Sequence, residues 1–248
     1  MLPKIDVPVF SINLISTGKE VKFRPFTVKE EKLFLMANES ADLKTIIDTT
    51  KQVLNNCIVS EVDIDKLPVF DIEYLFLNIR ARSVSEIISL NYKCNNDVKN
   101  EEAEDTHKCN HVVQIEVNIL DIKPKNDKKQ ETKIQITDKV GMVMKYPNFD
   151  TVKKFETGTE GVDQSDIILK MTVGCIDYIY DDDQIYYAKD TPEEELVEFI
   201  ESMQSKDLEK IKNFFDNMPK ISKDLDFKCG KCGHEEKITV EGMESFFV

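Results

Sequence analysis

The side chains able to do chemistry in this chain are few and close together in sequence. The cysteines are Cys57, Cys94, Cys109, Cys175, Cys229 and Cys232, and the histidines are His107, His111 and His234. Every histidine lies within two positions of a cysteine, which is not how histidines scatter over a surface. Thiolate sulfur and imidazole nitrogen are the ligands zinc takes in tetrahedral array. The same placement removes the commonest general base from the rest of the chain. "FKCGKCGHEE", residues 227–236, supplies a Cys-x-x-Cys pair, which is half of a four-ligand structural site.

Three readings of these residues are open at this point. In the first, Cys94, Cys109, Cys229 and Cys232 hold one shared zinc; four thiolates leave no position for water or substrate, so the site is structural. In the second, each pair has its own ion, with His107 or His111 joining Cys94 and Cys109, and His234 joining Cys229 and Cys232. In the third, the cysteines bind no metal and pack as small hydrophobes. A redox Cys-x-x-Cys sits at a strand-to-helix junction, whereas these flanks read as strand on both sides. Cys57 and Cys175 follow apolar helical segments and read as buried thiols.

The elements that position these residues show an internal parallel. "KCNHVVQIEV" from Lys108 and "KCGHEEKITV" from Lys231 share the frame Lys-Cys-x-His, then Ile-x-Val. "YKC" ending at Cys94 matches "FKC" ending at Cys229, and the acidic insert "NNDVKNEEAEDTHK" between Cys94 and Cys109 reads as a loop at a hairpin tip. Cys-Ile pairs at Cys57 and Cys175 close apolar segments, and "SINLISTGKEVKFRPF" parallels "KIQITDKVGMVMKYPNF". The expected fold is α+β, in two related units that each comprise a β-hairpin, a helical segment and a Cys-bearing β-hairpin. The units span 1–120 and 133–248, joined by a charged linker at 121–132.

Periodicity fills in each unit. Phe10, Ile12 and Leu14 alternate with polar residues toward a Thr17-Gly18 turn. Thr27 and Glu30 have the spacing of a capping box, so a helix starts there; a second runs through Leu43 to Asn56. Ile72, Leu75, Phe76 and Ile79 mark one face of a third. Ile88, Leu90 and Tyr92 alternate into Cys94 as a strand, and "VVQIEVNI" alternates after Cys109. The second unit repeats the order with longer helices: one from Thr191 as N-cap, with Pro192 and Glu194 in its first turn, and one with Leu208, Ile211, Phe215 and Met218 on a face.

Composition limits the function. With 33 basic against 47 acidic residues the formal charge is -14, which works against a phosphate backbone as partner. No stretch approaches the roughly 18 apolar residues of a membrane helix, and "MLPKIDVPVF" lacks a basic region followed by an apolar run, so no secretory signal is expected. A reducing compartment then favours metal ligands or buried thiols over disulfides. Phosphate-loop, nucleophile-elbow and paired-carboxylate patterns have no convincing match, and no small-molecule substrate is implied. Arg24 before Pro25 reads as a structural junction, Arg80 and Arg82 as C-terminal helix charges, and Asp181 to Asp183 as an acidic turn without calcium-loop spacing.

Longer strings carry a resemblance. "KFRPFTVKEEKLFLMANES", then "NCI", "LPVFDIEYLFLNIRARSVSEIISLNYKC", "MKYP" and the terminal "GMESFF" resemble the baseplate hub family of T4-like contractile-tailed bacteriophages. That resemblance spans nearly the whole chain. It implies a hub subunit or hub assembly protein without enzymatic activity, with other phage hub and tail proteins as partners. It also implies the host cytoplasm during assembly and the virion tail baseplate as locations. The competing expectation is a zinc-ribbon regulator of nucleic acid or polymerase, which needs a basic face.

Overall fold

Alternation in the first residues produces the first hairpin. The structure, a computed structural model, describes residues 3, 5–40, 42–100, 105–124, 131–156 and 164–242. β1 (Phe10–Asn13) and β2 (Glu20–Phe23) pair antiparallel, Phe10 opposite Phe23. Gly18, at φ 69°, closes the turn, and its amide donates to the Leu14 carbonyl at 2.8 Å. β2 buries Val21 and Phe23 and exposes Glu20 and Lys22, as a half-covered strand must.

Three helices cover that hairpin. At the start of α1 (Val28–Ser40) the Thr27 amide donates to the Glu30 carboxylate at 2.7 Å, the reach-back half of a capping box. α2 (Leu43–Cys57) begins at Asp42, which accepts from the Thr45 amide at 2.9 Å. α3 (Val69–Ser83) buries Ile72, Leu75, Phe76 and Ile79 against Val21, Phe23, Val53 and Leu54, forming the first core. Asp71 on α3 is also fully buried, and it accepts from the Ile15 amide at 2.7 Å and the Ser16 amide at 3.3 Å. The hairpin turn is thereby tied to the helix.

β3 (Ile87–Lys93), β4 (Asp97–Asn100), β5 (Asp105–Lys108) and β6 (Val112–Asn118) form two nested hairpins, β3 with β6 and β4 with β5. The insert between Cys94 and Cys109 is therefore not a loop over its described length. Asp97 stands opposite Lys108, and the two are ion-paired at 2.9 Å. Val98 packs toward the cysteines. Residues 101–104 lie outside the described residues, as do 125–130 of the linker and 243–248 of the terminal "GMESFFV".

The second half opens on β7 (Lys133–Gln135) and β8 (Gly141–Met144), followed by α4 (Phe149–Glu156) and α5 (Gln164–Gly174). It continues with β9 (Ile176–Tyr180), β10 (Ile185–Tyr187), α6 (Glu193–Glu201), α7 (Ser205–Asp216), β11 (Ser222–Lys228) and β12 (Glu235–Glu241). β10, β9, β8 and β7 make one antiparallel sheet in that order. Its inner face, Ile134, Met142, Met144, Ile176 and Ile179, packs on Leu196, Ile200, Ile211 and Phe214. These helices are shorter than those of the first half, not longer as expected, 8 to 12 residues against 13 to 15, and two further strands, β9 and β10, separate α5 from α6. Thr191 does not cap α6: Pro192 holds that position, and the Thr191 hydroxyl donates to the Tyr187 carbonyl at 2.9 Å.

One junction occurs in both halves. The Arg24 amide donates to the Cys57 carbonyl at 2.9 Å, and the Lys145 amide donates to the Cys175 carbonyl at 2.7 Å. Phe23 bridges Ile58 antiparallel, as Met144 pairs with Ile176. The halves are also packed on each other. Phe149 of α4 joins the first core, and Lys51 pairs with both Asp65 and Asp150 at 2.7 Å. A third core sets Leu77, Ile88, Val117 and Ile119 against Ile221 and Leu225. Seven α-helices and twelve strands in small sheets, counted among the described residues, make the chain α+β.

Candidate metal centre

The third core lays the β3–β6 hairpin against the β11–β12 hairpin, and this brings their tips together. β3 runs directly into Cys94 and β11 into Cys229. At each tip the backbone makes the same pair of bonds. The Cys94 amide donates to the His111 carbonyl at 2.9 Å and the Asn110 amide to the Cys94 carbonyl at 3.0 Å; the Cys229 amide donates to the His234 carbonyl at 2.8 Å and the Gly233 amide to the Cys229 carbonyl at 2.9 Å. The residue after the second cysteine is left-handed in both, Asn110 at φ 54° and Gly233 at φ 73°. Glycine and asparagine are the residues that take this conformation most readily.

The result is a cluster of four sulfurs. The Sγ atoms of Cys94, Cys109, Cys229 and Cys232 lie within 4.8 Å of one another. Cys94 to Cys232 and Cys109 to Cys229 are each 3.7 Å. Four sulfurs placed ~2.3 Å from a central zinc in tetrahedral array stand ~3.8 Å apart, so the cluster has the dimensions of a closed thiolate site. Cys94, Cys109 and Cys229 are buried, and Cys232 is half-buried. Tyr92 and Phe227 wall the cluster in a T-shaped contact at 4.8 Å between ring centroids, with Val98, Val113 and Ile238 around them.

Residues 7–248 match the family described as T4 bacteriophage base plate protein. The chain belongs to that family. This baseplate protein therefore has a structural role in the phage tail, where its contacts are with other tail proteins. No curated protein and no solved structure gives a match. Among its described residues no helix is long and apolar enough to cross a membrane.

Electrostatics at the cluster of the baseplate protein are uneven. Burial pushes the Cys94 thiol up to about 12 against one helpful amide from Asn96. At Cys109 the His111 amide favours the thiolate, but burial and the sulfurs of Cys232 and Cys229 outweigh it and leave the thiol raised. The His234 amide holds Cys232 low, at about 6. Four sulfurs, three of them buried, sharing so small a volume cannot all ionise unaided; a divalent cation among them would supply the missing charge. Cys57 and Cys175 lie elsewhere, buried, their thiols pushed by burial to about 11 and about 12.

Two of the histidines, His111 and His234, serve the cluster through their backbones. His111 and His234 each stand two positions after a cysteine because their amides donate to its sulfur. The His234 imidazole is 3.8 Å from Glu236, and His107 sits on β5 opposite Val98. Among the described residues, the group of potential ligands that converges here consists of the four cysteines alone. Sequence reasoning missed Asn96, whose amide reaches Cys232 Sγ at 3.7 Å, and the left-handed Asn110 and Gly233. Aligning Cys-Asn-His with Cys-Gly-His carried the signal for the last two. Gly233 has open space for a Cβ but the wrong φ for one. Gly233→Ala should therefore cost about 1 kcal/mol in urea unfolding, and Asn110→Gly only a few tenths.

Proposed function

We propose that the chain is a non-enzymatic structural or assembly protein of the baseplate hub, held in shape by one structural zinc on Cys94, Cys109, Cys229 and Cys232. The observation that carries this reading is the convergence of four sulfurs from hairpins more than a hundred residues apart, all within 4.8 Å of one another and two pairs of them at 3.7 Å. The donor set is right for zinc, being all soft thiolate. The ion would supply charge balance and a cross-link, and a closed set offers nothing to a substrate. Separate sites completed by His107, His111 or His234 find less support, since the sulfurs face each other across the two hairpins. A zinc-ribbon regulator of nucleic acid is opposed by the charge of -14.

The repeated junction and the repeated hairpin tip support descent of the halves, 1–120 and 133–248 about the 121–132 linker, from one duplicated unit. Shared cores make them halves of one body, and the metal would fasten their far ends. Such a clasp presents rigid helix faces and strand edges to neighbouring tail proteins.

Mass spectrometry of purified particles beside infected-cell lysate tests the hub role. The chain is expected in both if it is a component, and in lysate alone if it acts during assembly. Complete hubs formed in infections that lack the protein would overturn the reading.

A further inference from the structure

The β7–β10 sheet has a second face that the core does not use. Register aligns Ile134, Met142, Ile179 and Tyr186 on the inner side. The neighbouring rows, Gln135-Gly141-Tyr180-Ile185 and Lys133-Val143-Tyr178-Tyr187, point the other way. Ile185 is 52% exposed and Tyr187 47%, high values for an isoleucine and a tyrosine on a sheet.

This outer face is built rather than incidental. A Cβ on Gly141 would fall 2.2 Å from the Tyr180 hydroxyl oxygen, so the glycine leaves room for the Tyr180 ring to lie across the sheet. Its hydroxyl donates to Gln135 Oε1 at 2.7 Å, and Lys133 Nζ sits 4.6 Å from the ring centroid. Tyr178 meets Tyr187 edge-on at 5.8 Å. Fixed tyrosines give large amphipathic contact area at little entropic cost, which is why they are enriched at interface centres. β10 is an edge strand, hydrogen-bonded to β9 on one side only among the described strands, and an unpaired edge is a template for another strand.

Charge indicates the occupant. Asp181 to Asp183 immediately precede β10 in the chain, with Asp181 accepting from the Asp183 and Gln184 amides and the Tyr186 hydroxyl, and Asp190 and the exposed Glu193 to Glu195 of the first turn of α6 follow it. Against these carboxylates stand three lysines: Lys133 on the face itself, Lys139, bridged to Asp182 at 2.8 Å, and Lys189, over the Tyr187 ring at 5.4 Å. A second copy of this chain would bring the same acidic ends together within a molecule of charge -14, and repulsion disfavours it.

We propose that β10 and the tyrosine face receive an extended, basic segment of a different tail protein. The segment adds as a strand along β10. Its apolar side chains lie on Ile185, Tyr187 and Tyr178, and its Lys or Arg residues meet the carboxylates at either end. This partner rests on the baseplate reading, and the test separates the two.

Baseplate assemblies from infected cells are treated with a carbodiimide, which joins touching carboxylates and lysines without a spacer. Cross-links should run from residues 181–195 to lysines of another protein. The double variant Ile185→Lys/Tyr187→Lys should enter assemblies about tenfold less than wild type, as should Glu193→Lys/Glu194→Lys. Leu208→Lys, at a comparably exposed apolar site on α7, should enter normally. Ile185→Lys/Tyr187→Lys and Leu208→Lys should melt like wild type, since none of these side chains is buried, whereas Glu193→Lys/Glu194→Lys should melt a few degrees lower because it puts cations in the first turn of α6. Cross-links to a second copy, no cross-links from this segment, or normal entry of both double variants would overturn the proposal. Absence of the wild-type chain from the assemblies would overturn this partner while leaving the chain a protein that acts only during assembly, and the hub reading itself falls only if complete hubs form without it.

Discussion

Metal analysis of the purified chain should return one zinc per molecule, and Cys229→Ser should return none. The expected loss of stability is large because of what the site connects. Cys109 and Cys229 are separated by 120 positions, and a cross-link closing a loop of that order removes about 4–5 kcal/mol of unfolded-chain entropy. In a protein of this size that corresponds to a fall in Tm of roughly 10–20 °C. Treatment with a strong chelator should reproduce the fall in wild type and change nothing further in Cys229→Ser. Cys109→Ser, on the other hairpin, should behave the same way. Cys57→Ser should keep its zinc, since Cys57 is in the first core with Arg24 as its nearest charge. Absence of zinc from the parent would remove the clasp from the proposed function and leave the fold to its three cores.

Much of this was legible beforehand, for identifiable reasons. Alternating Ile88, Leu90 and Tyr92 and the helical spacing of Ile72, Leu75, Phe76 and Ile79 are strong periodic signals, and strand β3 and helix α3 follow them. The Lys-Cys-x-His frame appears twice because each copy makes the same tip with the same amide-to-sulfur contacts. Where the signal was polar, reading failed. The β4–β5 hairpin is held by a ladder and an Asp97–Lys108 pair, with Val98 as its apolar anchor, so its composition resembled a loop. β9 and β10 border an acidic turn whose carboxylates dominated the reading, although Tyr178, Tyr180, Ile185 and Tyr187 have strong β propensity. At Thr191 a capping pattern lost to Pro192. The meeting of the four sulfurs is a tertiary fact, set by Ile221 and Leu225 packing on Ile88 and Val117, and no local pattern encodes it.

Acid should weaken the first half through one carboxylate. Glu30 is 5% exposed, and burial alone would raise its pKa. Hydrogen bonds from Arg24 and from the hydroxyl and amide of Thr27, with the Arg24 charge, outweigh burial and hold it at about 2. Arg24 Nη2 lies 2.8 Å from Glu30 Oε1, and the same arginine donates to the Pro25 carbonyl at 2.9 Å. The network therefore locks the turn between β2 and α1. Because the folded value is below the unfolded one, this contribution is complete above about pH 4.5 and is lost as pH falls toward about 2. Its size at neutral pH is about 2–3 kcal/mol. Glu30→Gln keeps the shape and removes the charge, so it should cost about that much at pH 7 by urea unfolding and progressively less toward pH 3. Asp71 acts with the opposite sign. Burial raises its pKa despite the bonds from Ser16 and Ile15, so its contribution is greatest in acid and falls as pH rises through the folded value. The difference between wild type and Glu30→Gln cancels Asp71 and isolates Glu30. A difference that stays constant from pH 7 to pH 3 would show that the charge of Glu30 does not hold this junction.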